Sequence, residues 1–108
     1  LASLLPRLQQ GWDVFPALKE SIHLSPTEQA RRLFYDTLVF DAPMLGHLVD
    51  RFGASQLMVG TDYPFNFHDR EPVRRIEAAG FDVDTAAALI HRNAERFLGI
   101  TTTKENTA

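Results

Sequence analysis

Between Asp41 and Gly53 the apolar residues Met44, Leu45, Leu48, Val49 and Phe52 recur every three or four positions. That spacing lays them along one helix face, with Asp41 as the cap and Gly53 as the stop. A second stripe runs through Ala86, Leu89, Ile90, Asn93, Ala94, Phe97 and Leu98. It predicts a helix beginning near Asp84 as N-cap and ending at Gly99. Ser25-Pro26-Thr27-Glu28 reads as a capping box with proline in the first turn, opening a helix to about Leu33. A further helix is expected from Glu71 to Ala79, closed by Gly80. Residues 1–20 are apolar but interrupted by Pro6, Gly11 and Pro16, which suggests short helical pieces.

Two runs break the helical period. "LFYDTLVF" (33–40) is rich in aromatic and β-branched residues and predicts a strand. "QLMVG" (56–60) predicts a second, short strand, apolar enough to be buried on both faces. "GTDYPFNFHD" (60–69) then reads as a loop. The order helix, strand, helix, strand, helices is the rhythm of βα units with parallel strands. Two strands cannot form a covered sheet of their own. The expected fold is therefore α/β and mostly helical, a portion of a larger parallel domain spanning residues 1–100. The polar end, 101–108, is expected to be a disordered tail.

Composition narrows the function. The 108 residues are 44% hydrophobic and 23% charged, with net charge −3 and no cysteine. This is ordinary globular composition. It gives no basic patch for nucleic acid, and no run near the ~18 apolar residues of a membrane span. Disulfides and thiolate metal sites are excluded. The chain starts without Met and without a signal-peptide pattern, so a cytoplasmic location and a cut from a longer chain are the expectations.

Functional side chains in parallel α/β folds sit at the C-terminal ends of strands. Asp62 lies just past "LMVG", with Gly60 permitting a close approach and Pro64 stiffening the exit. It reads as a site carboxylate or as a turn residue. Arg7, in the apolar setting "SLLPRLQQGW", calls for a carboxylate partner in the protein or in a ligand. His23, His47, His68 and His91 are scattered, with no His-x-His or His-Glu-x-x-His run. His91 and Glu95 share a helix face that reads as solvated, and His68 reads as a loop residue near the site mouth. The pairs Arg31-Arg32 and Arg74-Arg75 read as solvated.

"RLFYDTLVFDAPMLGHLVDRFGASQLMVGTDYPF" followed by "HRNAERFLGI" resembles the C-terminal part of the amidohydrolase-2 family, and within it the aminocarboxymuconate-semialdehyde decarboxylase branch. The resemblance implies a (β/α)₈ barrel with one divalent metal, zinc as the usual ion, at its C-terminal face. It makes "FYDTLVF" the seventh strand and "QLMVG" the eighth. It makes Asp62 a metal ligand and proton carrier, and Phe65 a pocket wall. It makes Arg7 a clamp on the carboxylate of a small substrate, reaching across a homodimer interface, with Pro6 where relatives often carry Gly. The family's other ligands, a His-x-His and further histidines, have no counterpart in these residues. A full barrel needs about 250 residues. The expectation is a C-terminal portion of a decarboxylase or hydrolase, inactive alone and holding zinc no better than weakly. A hydratase or lactone hydrolase of the same family and a non-catalytic helical interaction module are the alternatives.

Overall fold

Pro6 and Pro16 each stand in the first turn of a helix, where a missing N–H leaves no bond unmade. The computed structural model describes residues 1–100, so the expected tail at 101–108 lies outside the described residues. The N-terminal helices are α1 (Leu5–Val14) and α2 (Pro16–Ser21). Gly11 does not interrupt α1. One half of the expected capping box forms, Ser25 Oγ accepting from Glu28 N at 3.2 Å and opening α3 (Pro26–Ala30); the return bond from Ser25 N–H to the Glu28 side chain is absent among the described residues. This helix stops short of Leu33. The Arg32 and Leu33 N–H groups turn to carbonyls three residues back, and Gln56 Nε2 binds the Leu33 carbonyl at 2.8 Å.

Strand β1 (Tyr35–Asp36) pairs in parallel with β2 (Leu57–Met58), Tyr35 opposite Leu57 and Asp36 opposite Met58. Both are shorter than the runs that suggested them. Thr37 N donates to Met58 O at 3.0 Å; beyond it the chain folds into local turns. Asp36 Oδ1 takes the Leu38 N–H at 3.0 Å, and Val39 N turns back to Thr37 O at 2.9 Å. Asp36 thus offers the backbone a local alternative to the ladder.

Between the strands lies α4 (Ala42–Phe52), capped by Asp41, whose carboxylate accepts from Met44 N at 2.8 Å. Gly53 ends it at φ 93°, a backbone that favours glycine. After β2 come α5 (Pro72–Ala78), α6 (Val83–Ala87), a π-helical turn (Ala88–Arg92) and α7 (Asn93–Leu98). Asp82, not Asp84, caps α6: its Oδ1 accepts from Thr85 N at 2.6 Å, while Asp84 pairs with Arg92 at 2.8 Å. In the π turn Asn93 N–H bonds to the Ala88 carbonyl, five residues back, and the Leu89 carbonyl accepts from Val59 N at 3.1 Å. The wider turn thereby joins this helical run to the end of β2.

Leu5, Ala30, Leu45, Leu48, Phe52, Leu57, Ile76 and Leu89 form one buried cluster around the strand pair. Tyr35 stacks on Phe52 at 3.9 Å between ring centroids and donates its hydroxyl to Ala30 O. Phe97 and Leu98, expected in the buried stripe, stay 56% and 65% exposed. The run from Val83 to Leu98 is about 24 Å long, whereas two-residue strands span about 7 Å. So short a pair cannot cover the whole helix. Among the described residues, no helix is long and apolar enough to cross a membrane.

Candidate functional site

Strand β2, with Leu57 buried and Met58 half-buried, delivers the chain to a loop at its C-terminal end. Gly60 there packs so tightly on Asp36 that an added Cβ would lie 3.0 Å from the Asp36 Cβ. The two strand ends are therefore in direct contact beneath the loop. Asp62 follows in the left-handed region, at φ 66°. Asp is one of the few side chains that tolerate this backbone. Its carbonyl accepts from Phe65 N at 3.1 Å, and Tyr63 N donates to Thr61 Oγ1 at 3.1 Å. The Tyr63–Pro64 peptide is cis. The Asp62 side chain is exposed, and its carboxylate makes no hydrogen bond or ion pair among the described residues.

Asp69 closes the same loop and is its opposite in environment, only 5% exposed. Its N–H donates to Thr61 O at 2.9 Å, joining the two ends of the loop. Its carboxylate accepts from Arg75 Nε at 2.7 Å, Arg75 Nη2 at 3.4 Å and Glu71 N at 3.0 Å. The bond from Arg75 holds the Asp69 carboxyl below the usual carboxylate range. Burial opposes that shift, and the Glu71 N–H adds to it. Arg75 also donates to the Phe40 carbonyl at 3.4 Å and lies over the Phe40 ring at 5.3 Å. Phe40, at φ 55°, follows β1, and its ring meets Phe67 of the loop at 5.2 Å. An open hollow of about 730 Å³ lies alongside, lined by Thr61, Tyr63, His68, Asp69, Arg70 and Pro72.

The other sequence-derived residues fall as follows. Phe65 is 66% exposed on the loop, with Tyr63 and Phe67 equally open. Arg7 is exposed on α1, and no carboxylate pairs with it among the described residues. His68 sits on the loop as expected. Its Nδ1 hydrogen-bonds with the Phe65 carbonyl and its ring meets Tyr63 edge-on at 5.7 Å. His91 Nδ1 reaches Glu95 Oε1 at 2.7 Å on an exposed helix face. Arg74 is solvated as expected, but Arg75 is not, since it clasps buried Asp69. That pair was missed because its members lie six residues apart, across a loop–helix junction. The faint signal was Asp69 two residues before Glu71, the N-cap of α5. Among the described residues, no three His, Asp or Glu side chains group as a metal site. Asp62 fits a metal as one oxygen donor, since nothing else occupies its carboxylate.

Residues 2–100 match the family model described as Amidohydrolase. The chain belongs to the amidohydrolase family. It is 32% identical over 96 residues to the 2-amino-3-carboxymuconate-6-semialdehyde decarboxylase of Dictyostelium discoideum, covering 87% of this chain and 27% of that protein. It is 31% identical to the Caenorhabditis elegans protein of the same name, covering 87% and 24%. The chain thus spans about a quarter of the length of the curated relatives it matches. In fold, this amidohydrolase chain is similar to 5-carboxyvanillate decarboxylase from Sphingomonas paucimobilis. The TM-score is 0.72 at 23% identity, covering 94% of this chain and 31% of that one. An amidohydrolase from Mycobacterium avium subsp. paratuberculosis gives a TM-score of 0.68 at 22% identity, covering 93% and 25%.

Proposed function

We propose that these residues are the C-terminal part of a (β/α)₈ barrel in a metal-dependent amidohydrolase that decarboxylates a small carboxylate-bearing substrate. The observation that carries this reading is the contrast between two carboxylates on one loop. Asp69 is buried and fully engaged; Asp62 is exposed, without a partner and in left-handed backbone at a strand end. Unusual backbone at a strand end is a common mark of a working residue. The two relatives above 30% identity, both named as decarboxylases of an amino-carboxymuconate semialdehyde, support the reaction class.

Asp62 would hold the metal as one ligand, the other donors coming from outside residues 1–100. When bound, a divalent ion such as zinc supplies a Lewis acid that polarises a water or a substrate oxygen. Decarboxylation breaks the bond between a substrate carbon and its carboxylate, releases CO₂ and leaves that carbon to gain a proton. Asp62 would take up and return such a proton. Phe65 forms an apolar wall. Arg7 binds the substrate carboxylate as a fork of two N–H donors, across the interface of a homodimer. The test is CO₂ release from 2-amino-3-carboxymuconate 6-semialdehyde by the complete protein. Activity lost on chelation and restored by zinc is expected. Undiminished activity after complete metal removal, or no CO₂ from the metal-loaded protein, would overturn the reading.

A further inference from the structure

No hydrogen bond or ion pair holds the Asp62 carboxylate among the described residues, so its position depends on the backbone of its loop. That loop is closed at the neck by Asp69 N donating to Thr61 O at 2.9 Å. Compact loops of this kind are held by groups packed at their ends. Here the packed group is the Asp69 carboxylate, with its three bonds to Arg75 and Glu71. Arg75 in turn reaches the segment between β1 and α4, through the Phe40 carbonyl and ring, and Phe40 leans on Phe67 in the loop.

We infer that Asp69 and Arg75 are a positioning pair for the catalytic loop: their contact locks its neck and ties it to the segment between β1 and α4, which fixes Asp62. This rests on Asp62 being the catalytic carboxylate. Neither member acts on substrate itself. Arg75 is suited to the task because a guanidinium can bind a carboxylate and a carbonyl at once, which an ammonium does less well. A shift of about 1 Å in a catalytic group can lower turnover by about 100-fold. A loosened neck would therefore register in kcat before binding.

The experiment uses the complete protein and the variants Arg75→Gln, Arg75→Lys and Asp69→Asn. Two readouts are taken, amide hydrogen exchange across residues 61–69 and steady-state kinetics. For Arg75→Gln, exchange at Asp69 and Tyr63 should rise about 10-fold or more as local opening becomes easier. Its kcat should fall about 10-fold or more with KM changed less than about 3-fold. Arg75→Lys should recover part of both. Asp69→Asn keeps an acceptor for Glu71 N and should resemble Arg75→Gln, so a folding failure in one variant leaves the other to decide. Unchanged exchange in these variants would overturn the inference. So would faster exchange with wild-type kcat. A wild-type protein without turnover would instead overturn the decarboxylase reading, and the exchange result would then decide the loop clasp alone.

Discussion

Gly60 and Asp36 stand in contact at the C-terminal ends of the two strands, the would-be Gly60 Cβ lying 3.0 Å from the Asp36 Cβ. The contact brings the loops after β1 and β2 together. Gly60→Ala must therefore push Asp36 aside by a few tenths of an ångström. Over-packing of this kind costs about 1–2 kcal/mol. Urea unfolding of the complete protein should show a lower midpoint with an unchanged slope. An unchanged midpoint would mean that Asp36 yields freely.

Asn93 is 2% exposed and donates its amide to Ala54 O at 2.6 Å and Leu57 O at 2.7 Å. These bonds hold the start of β2 against α7. Asn93→Leu would strand both carbonyls in an apolar setting, at a cost of about 2–4 kcal/mol. Thermal or urea unfolding measures it. A loss near zero would show that water or a relaxed backbone satisfies both groups.

Asp69 should give the protein an acid limit. Its folded pKa is lowered from the ordinary 3.8, mainly by the Arg75 hydrogen bond. A group so depressed contributes fully above its unfolded pKa and loses that contribution as pH falls through the folded value. Stability should thus decline from about pH 4 downward, and part of the decline should vanish in Asp69→Asn. Parallel pH profiles of the urea midpoint for wild type and variant would contradict this.

The helix α4 was legible in the sequence because its cap, stripe and stop are all local features: Asp41, Leu45, Leu48, Phe52 and Gly53. The place of Asp62 was legible too, since a buried run followed by a loop carboxylate is a pattern along the chain. Asp82 displaced Asp84 as cap because both are aspartates two positions apart, and only the loop's entry angle separates them. The strands came out shorter than their β-rich composition suggested, because strand length depends on partners elsewhere in space. The Asp69–Arg75 clasp was hidden because its members lie six residues apart across a loop–helix junction, and Arg75 meets Phe40 thirty-five residues away.

Arg7 carries the proposal of a shared site. Arg7→Ala should cost about 2–4 kcal/mol in kcat/KM, and Arg7→Lys should already lower it, because the bidentate fork is lost. If Arg7 serves the neighbouring subunit, inactive Arg7→Ala and inactive Asp62→Ala subunits should restore some activity when mixed. The mixed dimer then contains one site with both residues intact. Heterodimers that form yet stay inactive would confine Arg7 to its own subunit or to structure.

The central claim is that Asp62 holds the metal and handles the proton. It is tested most directly by metal analysis and turnover of purified Asp62→Ala in the complete protein. The side chain is exposed and bonded to nothing among the described residues, so the stability loss should be confined to about 1 kcal/mol for placing alanine in the left-handed backbone at φ 66°. Metal occupancy or turnover should nevertheless be lost. A variant that keeps both stoichiometric metal and wild-type turnover would contradict the account.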